Sequence, residues 1–199
     1  MPSVVRLSDE QFYQVCQANR NLRLELTADG ELIIMPPTGG ETGKRNCDLI
    51  AELVIWNRQT KLGVVFDSST DFNLPNGAKL SSDVSWISIA EWNILTATEK
   101  QKFLPLCPDF EREIRRTWVR LKNRAVVIEL RSSTDIATLQ NKMQEYIANG
   151  TVLSWLINPQ DKQIEIYRPE RDVEVLNSPQ TISGENILPG FVLNLESIW

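Results

Sequence analysis

Apolar and polar residues recur along this chain with two periods, and each stretch predicts an element. Ser8 and Gln11 stand at capping-box spacing, and Phe12, Val15 and Cys16 follow at helical intervals, which predicts a short helix over about 9–18. The runs 22–26 and 31–35 flank Ala28-Asp29-Gly30 and read as a hairpin ended by Pro36-Pro37, with a glycine-bearing loop over 38–43. From Thr42 to about Arg58, Cys47, Ile50, Ala51, Val54 and Ile55 return every three or four residues, which predicts a helix that buries this stripe against a sheet. Strand-like runs follow at 63–67, 71–74 and 79–87, with Pro75-Asn76-Gly77 turning between the last two, and 89–102 reads as a helix stopped by Pro105.

The second half is patterned as clearly. The run 125–130 is apolar and β-branched with no alternation, as expected of a strand covered on both faces at the centre of a sheet. Asp135 closes a Ser-Thr-Asp cap for a helix whose stripe is Leu139, Met143, Tyr146 and Ile147 and whose end is Gly150. Strands at 152–158 and 163–167 are joined by Pro159-Gln160-Asp161-Lys162, and a further pair lies near 172–176 and 190–195. The whole is a mixed α/β pattern: one sheet-based unit of 199 residues with flanking helices and an N-terminal hairpin.

Composition narrows the chemistry. No apolar run approaches the roughly 20 residues a membrane-spanning helix needs, and the N-terminus lacks the basic and apolar regions of a secretion signal, so the expectation is a cytoplasmic protein with no membrane partner. Cys16, Cys47 and Cys107 are odd in number and far apart, which suggests neither a disulfide framework nor a zinc knuckle. Histidine is absent, so a histidine-based nucleophilic site and every histidine-ligated metal are excluded; chemistry must use carboxylates, Lys and Arg. The net charge of -5 disfavours bulk attraction to nucleic acid and leaves only local phosphate contacts. One such place is 111–124, where six basic residues (Arg112, Arg115, Arg116, Arg120, Lys122, Arg124) oppose Glu111 and Glu113, and Ile114, Trp118 and Leu121 give a helical apolar edge.

Without histidine, hydrolysis of a phosphodiester calls for a hard cation such as Mg²⁺ or Mn²⁺, and such an ion needs converging carboxylate oxygens. Asp83 stands beside a strand near a turn. Glu129 stands near the end of the apolar central strand, where a charge is costly unless paired or bound to metal. Arg131, two residues on, shares the face of Glu129, with the Leu130 carbonyl directed between them, and Lys142 on the following helix can bring an ammonium to the same place. The plainer alternative is a surface ion pair at a strand end, with Lys142 and Glu145 solvated on an amphipathic helix and Trp56, Trp86, Trp92 and Trp155 serving as core.

The order of local motifs adds a resemblance. Leu24-Glu25-Leu26, Asp29-Gly30-Glu31-Leu32, Met35-Pro36-Pro37-Thr38-Gly39, Ser82-Asp83-Val84-Ser85-Trp86 and Cys107-Pro108-Asp109-Phe110 come first; Val127-Ile128-Glu129-Leu130-Arg131-Ser132, Lys142-Met143-Gln144-Glu145-Tyr146 and Trp155-Leu156-Ile157-Asn158-Pro159 follow. Over residues 5 to 195 this set resembles the Uma-two family of restriction-endonuclease-like proteins. The resemblance implies a PD-(D/E)XK-type core, with Asp83 as a metal-binding acid, Glu129 as the strand carboxylate, the Leu130 carbonyl beside them, and Glu25 and Glu41 as accessory acidic candidates. It implies a Mg²⁺- or Mn²⁺-dependent endonuclease acting on DNA, for which a symmetric homodimer would suit double-strand cleavage; the alternative is a catalytically inactive module that keeps the fold. Two departures touch the site: Ser82 precedes Asp83 where the wider superfamily has Pro, and Arg131 replaces the signature Lys unless Lys142 supplies it. A third is an insertion at 111–125, expected as a basic helix near the pocket.

Overall fold

The apolar run at 125–130 forms a strand whose every side chain is buried, and the rest of the fold covers its two faces. The computed structural model describes residues 7–102, 104–106, 113–114, 117–118, 125–132 and 135–199. In chain order the elements are α1 (Asp9–Ala18), β1 (Arg23–Leu26), β2 (Leu32–Met35), α2 (Gly40–Thr60), β3 (Gly63–Asp67), β4 (Phe72–Asn73), β5 (Lys79–Leu80), β6 (Val84–Ser88), α3 (Ile89–Ile94), α4 (Ala97–Gln101), β7 (Leu104–Pro105), β8 (Glu113–Ile114), β9 (Thr117–Trp118), β10 (Ala125–Leu130), α5 (Ile136–Ala148), β11 (Leu153–Asn158), β12 (Gln163–Tyr167), β13 (Glu174–Asn177), β14 (Thr181–Ser183) and β15 (Val192–Asn194).

The principal sheet has the order β13-β12-β11-β10-β6-β3. β10 and β11 run parallel with α5 between them in the chain, and the other neighbours are antiparallel. Alternation along β10 divides the interior. Val126, Ile128 and Leu130 join Leu49, Leu53 and Trp56 of α2 and the C-terminal Leu188, Phe191, Leu195 and Ile198. Ala125 and Val127 instead meet Leu139, Met143 and Tyr146 of α5 and Phe72, Leu74, Leu80 and Leu104 of a second sheet. Glu129 shares the period of this second face. The second sheet has the order β2-β1-β5-β4-β7, and its Leu24 and Leu26 pack on Phe12 of α1.

Several expectations need correction. The helix at 42–58 exists, but it buries Asn46, Leu49, Leu53 and Trp56, whereas Cys47 and Ile55 are exposed. Two adjacent stripes satisfy helical spacing, and the one holding the larger Leu and Trp side chains faces the sheet. The run 79–87 is two strands in different sheets. Ser81 gives its amide and hydroxyl to Glu25, and the Ser82 hydroxyl bonds to the Val84 carbonyl and the Ser85 hydroxyl, so the chain crosses from β5 to β6 along a polar seam. The segment 89–102 is also divided, because Ser88 with Glu91 and Thr96 with Glu99 each build a capping box and start a helix of their own.

The insertion expected as a basic helix contains instead the paired strands β8 and β9, in the register Glu113↔Trp118 and Ile114↔Thr117. The charge run carries no information on period, so it is as compatible with short strands as with a helix. The rest of 107–124 lies outside the described residues. Near the C-terminus β13 joins the principal sheet through β12, and β15 pairs with β14, so the two predicted strands do not pair with each other. Among the described residues no helix is long and apolar enough to cross a membrane.

Gly63 of β3 lies hard against the neighbouring strand β6. The Asn57 side chain accepts from the Gly63 amide (3.1 Å) and from the Trp86 indole (2.9 Å), drawing that ring over the backbone. A Cβ on Gly63 would lie 2.2 Å from the Ile87 carbonyl oxygen and 2.3 Å from Trp86 Cε2. Gly63→Ala should therefore destabilise the protein by about 2 kcal/mol or more. Gly43→Ala, whose Cβ meets nothing within 4 Å, should stabilise it by roughly 0.5–1 kcal/mol. Urea denaturation of the two variants checks both signs.

Candidate functional site

The polar seam at Ser81–Asp83 comes together with the end of β10 and one flank of α5. On α5, Leu139, Met143 and Tyr146 face the sheet, and Lys142 leaves the helix beside this stripe toward the junction of the two sheets. Its ammonium donates to the Ser81 carbonyl at 2.7 Å and to Glu25 Oε1 at 2.9 Å, and it forms an ion pair with Glu129 Oε1 at 3.0 Å. Two hydrogen bonds and one ion pair thus engage the ammonium. Glu25 reaches this point from β1, and Glu129 from β10; both side chains are almost wholly buried. The principal sheet, the second sheet and the link between them thus share one cation.

Asp83 is held differently. Its Oδ1 accepts from Asn46 Nδ2 of α2 at 2.8 Å, and its Oδ2 from the Leu130 amide at 2.8 Å. The next amide, that of Arg131, donates to the Ile157 carbonyl of β11, so the Leu130 peptide groups face β6 and Asp83 as strand geometry requires. The Arg131 guanidinium pairs with Asp161 in the β11–β12 turn at 3.2 Å, and Lys142 is the cation that meets Glu129. Glu25, Asp83, Glu129, Leu130, Arg131 and Lys142 all line one cavity of about 790 Å³. Glu41 is not in its wall: it stands exposed in the first turn of α2, 3.8 Å from Arg45. Sequence reasoning missed Asn46. Its signal was an amide on the same helical stripe as Leu49, Leu53 and Trp56, a polar residue where packing alone favours an apolar one.

Burial pushes the Glu129 carboxyl up to about 8; the Lys142 ammonium draws it down, while Asp83 and Glu25 push it further up. Burial also raises Asp71 to about 6, with Glu25 adding to the rise and Arg23 and Lys142 opposing it. For Lys142 burial works against the ammonium, but Glu129, Tyr146 and Glu25 overcome it and hold the group well above the ordinary lysine range. Glu25 and Glu129 thus act on the Lys142 ammonium, and Asp83 acts on Glu129. Three buried polar atoms of the same region, Asn46 Oδ1, Glu129 Oε1 and the Tyr146 hydroxyl, have no hydrogen-bond partner. Among the described residues no three Asp, Glu, Cys or His side chains form a ready-made metal cage. The oxygen donors that could take a cation here are the Asp83 and Glu129 carboxylates and the backbone.

Residues 9–196 match the sequence profile of the Uma2 family, described as "Putative restriction endonuclease". The chain belongs to the Uma2 family. The resemblance read from its motifs is thereby borne out. A crystal structure described as that of a "putative nuclease belonging to DUF820", from Anabaena variabilis ATCC 29413, aligns with 96% of this chain and 97% of its own at a TM-score of 0.68 and 14% identity. That likeness shows a common fold, in agreement with the mixed α/β architecture expected from the sequence. No curated protein matches the chain. Within this Uma2 chain, the motif residues Asp83, Glu129 and Lys142 therefore come from three different elements and meet at one cavity.

The junction should be visible in stability. Lys142→Met leaves Glu25 and Glu129 without their shared ammonium and should cost about 3–5 kcal/mol at pH 8. The sign of the pH dependence follows from Glu129: the folded state holds its proton more tightly than the unfolded chain. That contribution is present below the ordinary carboxylate range and is lost as pH rises through about 8. Without added cations, stability should fall from pH 5 to pH 8, and Glu129→Gln should flatten the fall. Guanidinium denaturation at several pH values measures both effects.

Proposed function

We propose that this Uma2-family protein is an endonuclease that hydrolyses DNA phosphodiesters with the help of Mg²⁺ or Mn²⁺. The observation that carries the reading is the meeting, in one cavity, of the buried Glu129 carboxyl with Asp83 and with a lysine that its acidic neighbours hold protonated. Asp83, Glu129 and the Leu130 carbonyl are the oxygen donors for the cation, which when bound would lower the pKa of a water and neutralise charge on the phosphate.

The chain's own groups have separable tasks. Lys142 cannot serve as a general base while Glu25 and Glu129 hold its proton, so it acts as a donor and positive charge toward a phosphate oxygen. Arg131 stands at the cavity wall with its guanidinium tied to Asp161, a placement suited to a flanking phosphate. Glu25 keeps Lys142 in place from the second sheet. The acidic net charge means that DNA is drawn in by these few local groups, so affinity should fall with salt on a shallow slope.

Two measurements test the proposal. Mn²⁺ or Mg²⁺ should raise the melting temperature of the protein, because an ion that binds only the folded state stabilises it by about 2.7 kcal/mol at 100 times its Kd. Asp83→Ala and Glu129→Ala should abolish the rise. Plasmid nicking should require the cation and fall at least about a hundredfold in Glu129→Ala. Equal nicking by wild type and variant would mean contamination, and no thermal shift in the wild type would point to a fold retained without catalysis.

A further inference from the structure

Asn46 is the one polar side chain among the four buried residues of α2. Leu49, Leu53 and Trp56 continue its stripe into the apolar layer beneath the principal sheet, so an apolar residue at 46 would serve packing at least as well. The amide instead spans from α2 to Asp83, giving Nδ2 to Oδ1 at 2.8 Å, and its own Oδ1 stays buried without a partner. An unsatisfied amide oxygen is costly to keep, which argues that the residue is retained for what its donor does.

What it does follows from the second bond of Asp83. The Leu130 amide holds Oδ2 from the side of β10, and Asn46 holds Oδ1 from the side of α2. Two donors on different elements fix the plane of the carboxylate: rotating it about its χ angles breaks one bond or both. Asp83 lies in the bend where the chain passes between the sheets, outside regular β pairing, so the backbone alone does not set its direction. We infer that Asn46 is a positioning residue, orienting the Asp83 carboxylate so that it and Glu129 can hold one cation. Asn46 itself touches neither cation nor substrate. The inference rests on the reading of Asp83 and Glu129 as cation ligands and adds a residue of α2 to that site.

The experiment measures Mn²⁺ affinity, from the electron paramagnetic resonance of free Mn²⁺, for the wild type, Asn46→Leu and Asn46→Ser. Asn46→Leu keeps the branched shape and removes the donor, whereas Asn46→Ser introduces a hydroxyl too short to reach Asp83. Circular dichroism confirms folding, and metal-free melting is recorded beside it. Both variants should bind Mn²⁺ roughly ten- to a hundredfold more weakly, the usual effect of removing a group that orients a ligand. Wild-type affinity in both, with only the metal-free melting temperature changed, would reduce Asn46 to a packing residue and overturn the inference. Absence of Mn²⁺ binding by the wild type itself would overturn the cation site and this inference with it, an outcome recognised before any variant is compared.

Discussion

The contact on which the site depends is the Lys142 ammonium, shared by oxygen atoms from three parts of the chain. Glu25 belongs to the second sheet, Ser81 to the link between sheets and Glu129 to the principal sheet. None of these groups is a near neighbour of another in sequence. A buried ammonium held by two hydrogen bonds and an ion pair can hold such elements together, whereas a buried carboxylate pair alone would drive them apart. The two apolar layers enclose this polar junction without filling it, because Ser81, Ser82 and Asp83 carry the chain across from one sheet to the other with hydroxyls and backbone groups as partners.

Much of this was legible in the sequence, for stated reasons. β10 was evident because a six-residue apolar run with one glutamate has few other places in a fold. α1, the first hairpin and α5 were evident because capping residues and period agree. Errors fell where one pattern supports two structures. The stripe of α2 was assigned to the wrong face, since apolar residues occupy two adjacent stripes. The 79–87 run was taken as one strand, since serines are tolerated in strands and the sequence does not show that Ser81 answers to Glu25, fifty-six residues earlier. β14 went unseen because Thr181–Ser183 is too short to show alternation.

At the site, legibility followed chemical type. Glu129 was readable because a charge inside an apolar strand demands compensation, and Lys142 was readable as an ammonium that the following helix can bring to the same place, with a solvated lysine as the alternative. Its spacing in α5 is that of an ordinary solvated lysine, and its burial is a tertiary fact: β1 delivers Glu25 to it. Asn46 was unreadable because an amide in a helix has many uses and its partner, Asp83, lies thirty-seven residues away.

The two acidic residues of the site are supported in opposite ways, and this difference bears on how a cation would enter. Asp83 has both oxygens met by neutral donors, an amide side chain and a backbone N–H, so its orientation does not depend on any other charge. Glu129 depends on an ammonium that it shares with Glu25. A cation arriving at Asp83 would therefore meet a carboxylate already in place, and would complete the balance at Glu129 that one lysine cannot supply alone. Glu25 could then retain Lys142 through its own bond, leaving the ammonium fixed at the cavity wall while Glu129 turned its charge to the ion. The shared lysine thus holds the junction of the two sheets closed from both sides.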